Sequence, residues 1–463
     1  MLPKNLKYGN KVESASATAY TSNIAPQNGT GSYGPGQTII INIPCRNNLC
    51  LIPSESVLKF SLTVTNGGTA SNLIRLDRAG ASGVIERLRL YSGSNLIEDV
   101  SSYGLLVANL LSLQSPNGAV RGKMNISSGL RNDNIVECFN TAAVTTTTSG
   151  KSYICPGGEK LWSVTEDAVI AIGATTISRT YTISLLSILG SLSSQYIPLF
   201  AMASSGPLRL EIQLADSPNR FICSHQTLST FKLDNVEYIG SFLELSDQSM
   251  EIINASLMGQ PLQFVVPSYR NYVFTQSLPI GGAQINVAIA SKFSSLKSLF
   301  CVMRDTAQIN TATFFPFSST TFGLSQYNLR VGSKLMPSKS PASIAEFFSE
   351  ACKAIGSISD LALNPSMNMF SYSPVTSTAN AETNIAQSKT SCSNNFIIGV
   401  DLETYAASDK DKIFSGYNCL SDDIFLQLQL NGTGAAVASL RFDTFSLFDS
   451  LIICENGTAY VKF

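Results

Sequence analysis

The chain has 463 residues, 44% of them apolar, which is enough for packed cores in two or three domains and excludes a disordered protein. Charged residues make up only 14%, against roughly 25% in an average soluble protein; a surface this poor in charge is either glycan-coated or largely buried in an assembly. Lys and Arg number 31 against 32 Asp and Glu, a net charge of −1, so no global field would draw the chain to nucleic acid or to an anionic membrane.

The N-terminal stretch carries Lys4, Lys7 and Lys11 but no apolar core of a signal peptide, and no apolar run elsewhere approaches ~18 residues. The expectation is neither a signal peptide nor a membrane span. Residues 1–36 read as an N-terminal arm rich in Gly, Ser and Asn. Within it Gly29, Gly31 and Gly34 spell G-x-G-x-x-G, but a strand pattern follows the glycines where a dinucleotide loop needs a helix to meet the phosphates.

From residue 37 onward strand signals recur. QTIIINI (37–43), SVLKFSLTV (56–64), VIERLRLYS (84–92), TISRTYTISLL (176–186), PLRLEIQLA (207–215) and FKLDNVEYIGSFLEL (231–245) are enriched in β-branched and aromatic residues, and most alternate with period two. After the third of these, YGLLVANLLSL reads as a helix with Tyr103, Leu106, Val107, Leu110 and Leu111 on one face. A long polar stretch, 131–160, follows it.

The strand pattern lapses over 245–260, which reads as a linker and sets a domain boundary near residue 250. Strands resume with PLQFVVPSYRNYVFTQ (261–276), AQINVAIASKF (283–293), LKSLFCVMR (296–304), NNFIIGVDLE (394–403), DIFLQLQL (423–430) and ASLRFDTFSLFDSLIIC (438–454). One clean amphipathic helix interrupts them, in LRVGSKLMPSKSPASIAEFFSEACKAIGS (329–357). Ser340 is placed to cap it and Pro341 to open it, Ser343 and Glu346 have capping-box spacing, and Ile344, Phe347, Phe348, Ala351 and Ile355 share a face. A second long polar stretch, 362–394, follows this helix. Connections so long are uncommon in compact domains and are often functional.

The two halves repeat one another. LRLYSGSNLIEDVSSYGLLVANLLSL and the quoted stretch share a Leu-Arg strand, a Gly-Ser turn, a spacer and a helix, with Gly332 lying 239 residues beyond Gly93. LEIQL (210–214) and LQLQL (426–430) match at an offset of 216, as unequal connections between matched strands would produce. The fold class is therefore all-β: two tandem eight-stranded jelly-roll β-sandwiches, each with a short helix, at 37–250 and 251–463. A parallel sheet would need a helix between most strands.

No constellation for chemistry emerges. The only histidine is His225, without nucleophile or ligand spacing around it, and the ten cysteines form no C-x-x-C. Cys301 and Cys454 sit in apolar strand-like runs and read as small buried hydrophobes. The carboxylate pairs Glu98-Asp99 and Asp422-Asp423 fit element borders, Asp409 to Lys412 a solvated loop, and Trp162 packing beside the first long stretch. The sequons at Asn28, Asn125, Asn254, Asn431 and Asn456 read as ordinary turns. The chain is expected not to be an enzyme, with no catalytic, cofactor or metal residue.

The order of these elements, from LRLYSGSNLIEDVSSYGLLVANLLSL through LLSILGSLSSQYIPLFAMASSGPLRLEIQL and the 329–357 stretch to FDTFSLFDSLIICENGTAYVKF, resembles the double jelly-roll major capsid proteins of tailless icosahedral DNA viruses, especially those of virophages and of Polinton-like and adinto-like viruses. The resemblance implies homotrimers of pseudo-hexameric outline that tile a virion shell, contacts to neighbouring capsomers and to minor capsid or penton proteins, and no sequence-specific nucleic-acid binding. It leaves an internal membrane open. It further implies that the two long stretches build an outward tower and that the arm lies inside or reaches a neighbour. The rival reading is a glycan- or receptor-binding β-sandwich such as a lectin, adhesin or spike.

Overall fold

The computed structural model describes residues 17–29, 31–67, 72–116, 119–130, 168–170, 176–193, 195–224, 228–309, 311, 315–356, 365–367, 372, 394–403, 415–432 and 436–463. His225, Trp162, Cys138, Cys155, Cys392, Asp409 to Lys412, all of 131–160 and most of 362–394 lie outside them.

The first half contains β1 (Ala17–Ile24), β2 (Ser32–Tyr33), β3 (Thr38–Ile43), β4 (Leu49–Asn66), β5 (Asn72–Leu76), β6 (Ile85–Ser92), β7 (Asn95–Ser101), helix α1 (Tyr103–Gln114), β8 (Ala168–Ile170), β9 (Thr176–Ile183), β10 (Leu208–Leu214), β11 (Ile222–Ser224) and β12 (Leu228–Leu245). Helix α2 (Asp247–Leu257) then leads into β13 (Leu262–Leu278), β14 (Ala283–Ile289), β15 (Leu296–Asp305), β16 (Leu324–Val331), β17 (Lys334–Met336), helix α3 (Ile344–Lys353), β18 (Ile398–Asp401), β19 (Ile424–Leu430), β20 (Val437–Glu455) and β21 (Thr458–Lys462).

The sheets run β1-β12-β4-β9 and β3-β10-β6-β7 in the first half, β13-β20-β15-β18 and β14-β19-β16-β17 in the second. Set β2 and the small β11-β5-β8 sheet aside in the first half, and β21 in the second. In chain order both halves then read first-eighth-third-sixth over second-seventh-fourth-fifth, which is the jelly roll. The expected repeat is real: Gly93 and Gly332 turn the chain between the fourth and fifth strands of each roll at φ 59° and 57°, and LEIQL and LQLQL are both the seventh strand. Alternation drives the assembly. Leu208, Leu210, Ile212 and Leu214 of β10 are all buried, with half-buried polar residues between them, and each such side chain stabilises by about 1.5–3 kcal/mol.

Several expectations are corrected. Residues 17–24 are not part of an arm; they form an edge strand hydrogen-bonded to β12 from Ala17↔Leu245 to Ile24↔Tyr238. The linker is helical, capped by Ser246 Oγ, which accepts from the Ser249 N–H, and closed by Met258 and Gly259 in left-handed conformations. None of its residues is buried; its one apolar row, Met250, Ile253 and Leu257, is only half-buried. Helix α3 begins three residues later than Ser340 suggests: Ser343 is the N-cap, in a complete capping box with Glu346. Glu346 also accepts from the Ala342 N–H and from Lys339, which holds its carboxyl down at about 2. Among the sequons, Asn254 lies inside α2 and Asn125 opens a short helix, so these two are not turns.

Candidate functional site: the seam between the sandwiches

Buried charge in this chain concentrates where the two rolls meet. Helix α1 stands at that place, and it is buried nearly all round, not on one face; Gly104, Asn109 and Ser112 are as enclosed as Leu106 and Leu110. The Ser102 hydroxyl does not cap the helix. It receives a hydrogen bond from Arg441 Nη2 at 3.1 Å, across the seam.

Asp77 and Arg78 grip the second roll through the two backbone groups of a single residue. Asp77 Oδ2 accepts from the Phe317 N–H at 2.6 Å, and Arg78 Nη2 donates to the Phe317 carbonyl at 2.6 Å. The guanidinium of Arg78, 2% exposed, also donates to Ser112 Oγ and Asn109 Oδ1 of α1 at 3.3 and 3.4 Å. These two side chains bond back to the Ala108 and Leu105 carbonyls one turn earlier, the arrangement open to Ser and Asn inside a helix. The Phe317 ring lies over Gly83 and Gly104, where an added Cβ would sit 2.9 and 2.8 Å from it. Glycine is required there by close approach, not by φ. Ser366 N–H completes this end by donating to the Ser112 carbonyl at 3.0 Å.

Next to it, Asp443 is fully buried between two guanidiniums. Arg304 donates to Oδ2 at 2.6 and 3.2 Å, and Arg441 to Oδ1 at 2.8 and 3.1 Å. Burial alone would lift the Asp443 carboxyl; Arg304 and Arg441 outweigh it and hold it below the usual range. Removing one member of such a group costs about 3–5 kcal/mol because the others stay buried.

The far end of the seam is a turn-on-turn contact. The β20–β21 hairpin turns at Asn456 and Gly457, both at positive φ, and lies against the turn of the first roll. Asn95 Nδ2 donates to the Ala459 carbonyl at 3.0 Å, and the Ser205 N–H to the Gly457 carbonyl at 3.0 Å. A Cβ at Gly457 would collide with the Ser204 hydroxyl.

The residues that the sequence singled out fall elsewhere. Glu98 points inward and Asp99 outward to Arg87 at 2.7 Å, as neighbours on a strand must, so they form no working pair. Asp422 accepts from the Tyr417 hydroxyl and Asp423 pairs with Lys292, tying loops together. Burial pushes the Cys301 and Cys454 thiols up to about 12, away from nucleophilic use. Among the described residues no group of three His, Cys, Asp or Glu could hold a metal ion, and no helix is long and apolar enough to cross a membrane. The seam residues escaped the sequence reading, though charges inside apolar runs, as in VMRD and FDTF, were a signal for them.

No family model and no curated protein matches the sequence. Solved structures do. The capsid of the virus PBCV-1 superimposes with a TM-score of 0.59 over 99% of this chain and 100% of that one, at 9% identity. The Faustovirus major capsid protein gives 0.57 over 97% and 92%, at 10% identity. The mavirus major capsid protein gives 0.54 over 100% and 93%, at 11% identity. The chain has the double jelly-roll fold. In this double jelly roll the seam makes one block of the two rolls: the hydrogen bonds of the charged side chains Asp77, Arg78 and Arg441 fix orientation, and Phe317 fills the space between α1 and the turn ahead of β6. The seam holds two sandwiches at a fixed angle.

Proposed function

We propose that this chain is a major capsid protein. Three copies assemble into a capsomer that presents six sandwiches, and capsomers tile an icosahedral shell of the virion alongside neighbouring capsomers and minor or penton proteins. The division of labour is one roll on either side of residue 250, and the chain is not an enzyme. The observation that carries this reading is the seam: two copies of one sandwich welded through buried charge give a rigid unit with two similar edges, which a ring of subunits requires and a flexible binding module does not. Full-length likeness to capsid chains supports it, as does the low charge, since obligate interfaces are depleted in charge at their centres. Native mass spectrometry with negative-stain electron microscopy of the full chain tests it. A trimer of hexagonal outline is expected; a stable monomer or dimer that retains glycan affinity would return the glycan-binding alternative.

A further inference from the structure

Helix α2, which joins the two rolls, keeps one face uncovered. Met250, Ile253 and Leu257 are half-buried, whereas Glu251, Ile252 and Ala255 on the opposite side are exposed, with Asp247 at their flank. Ile252 is 69% exposed, and Met258, just past the helix end, 86%. No Lys or Arg occurs in 247–257, and Glu244 stands exposed shortly before the helix on β12. Among the described residues neither Asp247 nor Glu251 has a hydrogen-bonding or ionic partner. The open face is acidic and apolar together.

The course of β1 decides which part of the chain lies nearest to it. Strand β1 runs antiparallel to β12 with Ala17 opposite Leu245, so the segment 1–16 joins the fold beside Ser246, the cap of α2. Extended, a segment of that length spans up to ~50 Å, against ~16 Å for α2. Its composition complements the helix face: Lys4, Lys7 and Lys11 against Glu13 alone, interleaved with Leu2, Leu6 and Tyr8.

We propose that residues 1–16 dock on the open face of α2 in their own copy, the lysines meeting Glu244, Asp247 and Glu251 and the apolar side chains covering Ile252 and Met258. Edge strand β1 and the link between the rolls are then fastened at one place. Tethering selects the own copy: a segment joined beside its target meets it at an effective concentration in the millimolar range. The contact needs no second copy and is independent of trimer formation.

The test places benzoylphenylalanine at Ile252 in the full chain and irradiates it. The expected adduct runs at the mass of one chain on denaturing electrophoresis and maps to residues 1–13, the fragment released by cleavage after Glu13. Lys4→Glu, Lys7→Glu and Lys11→Glu together should cut its yield about fivefold or more, as three exposed pairs acting jointly imply, and adding Glu251→Lys should return part of it. Circular dichroism checks that each variant folds. An adduct at the mass of two chains hands α2 to the segment of another copy. That result, an adduct elsewhere in the chain, no adduct at all, or a yield indifferent to the three lysines overturns the proposal. Whether native mass spectrometry finds a trimer or a monomer bears on the capsid reading alone.

Discussion

Replacing Glu98 by Gln should flatten the pH dependence of stability on the acidic side of neutrality. Glu98 lies on β7, 2% exposed, where Oε2 accepts from Ser187 Oγ at 2.5 Å and from the Ile188 N–H at 3.3 Å. Oε1 has no hydrogen-bond partner among the described residues. Burial pushes this carboxyl up from 4.5 to about 7; Ser187 and Ile188 pull it part of the way back, and Asp99 adds to the rise. A raised carboxyl in the folded state means that folded protein keeps a proton which unfolded protein has already released. The stability gained from the neutral form is complete below pH about 4.5, declines as pH climbs, and is gone above about 7; the total is about 3 kcal/mol at 1.36 kcal/mol per pH unit. Denaturant unfolding followed by far-ultraviolet circular dichroism, at half-unit steps from pH 4.5 to 8, reads it as the difference between wild type and Glu98→Gln. That difference removes every other titrating group. The wild type should lose stability relative to the variant across this window; equal slopes for the two proteins would refute a neutral, buried Glu98.

Two further perturbations act on the seam. Asp443→Asn leaves Arg304 and Arg441 enclosed without their shared carboxylate and should lower stability by about 3–5 kcal/mol in the same unfolding assay; a loss under about 1 kcal/mol would mark the group as solvent-screened. Gly104→Ala puts a methyl 2.8 Å from the Phe317 ring and 2.9 Å from Gly83 Cα. It should cost about 1–3 kcal/mol by overpacking and speed hydrogen exchange at the Phe317 amide, which Asp77 holds; unchanged exchange would show that the seam yields without strain.

The fold was legible because its signals are local. Period-two alternation marks β10 and β19 whatever surrounds them, and a Gly-Ser turn at positive φ marks Gly93 and Gly332. Helix α3 was legible in its capping box and its one apolar face, with an error of three residues because Ser340-Pro341 and Ser343 both satisfy local capping chemistry. Helix α2 was not, since it buries no residue and its one apolar row, Met250, Ile253 and Leu257, is short and only half-buried. The seam was the least legible part: Phe317 lies about 240 positions from Asp77, and only the closed fold brings its N–H to that carboxylate. Edge strand β1 was missed for a related reason, since both its faces are largely exposed and its order comes from pairing with β12.

The two rolls have also diverged on their outer faces in a way that fits unequal neighbours. On the β3-β10-β6-β7 sheet, Arg89 and Arg209 converge on Glu211 at 3.1 and 3.2 Å and Arg87 meets Asp99. At the matching place on the β14-β19-β16-β17 sheet, cross-strand rows run Gln284–Gln429–Gln326 and Asn286–Gln427–Asn328. An amide face can be covered by another subunit without stripping water from an ion, whereas covering the Arg-Glu network carries a desolvation cost that exceeds what exposed pairs of this kind return. The chain's low charge is thus unevenly shared: the first roll keeps ions on this sheet and the second has amides in their place, as expected if duplication was followed by different surroundings for each copy.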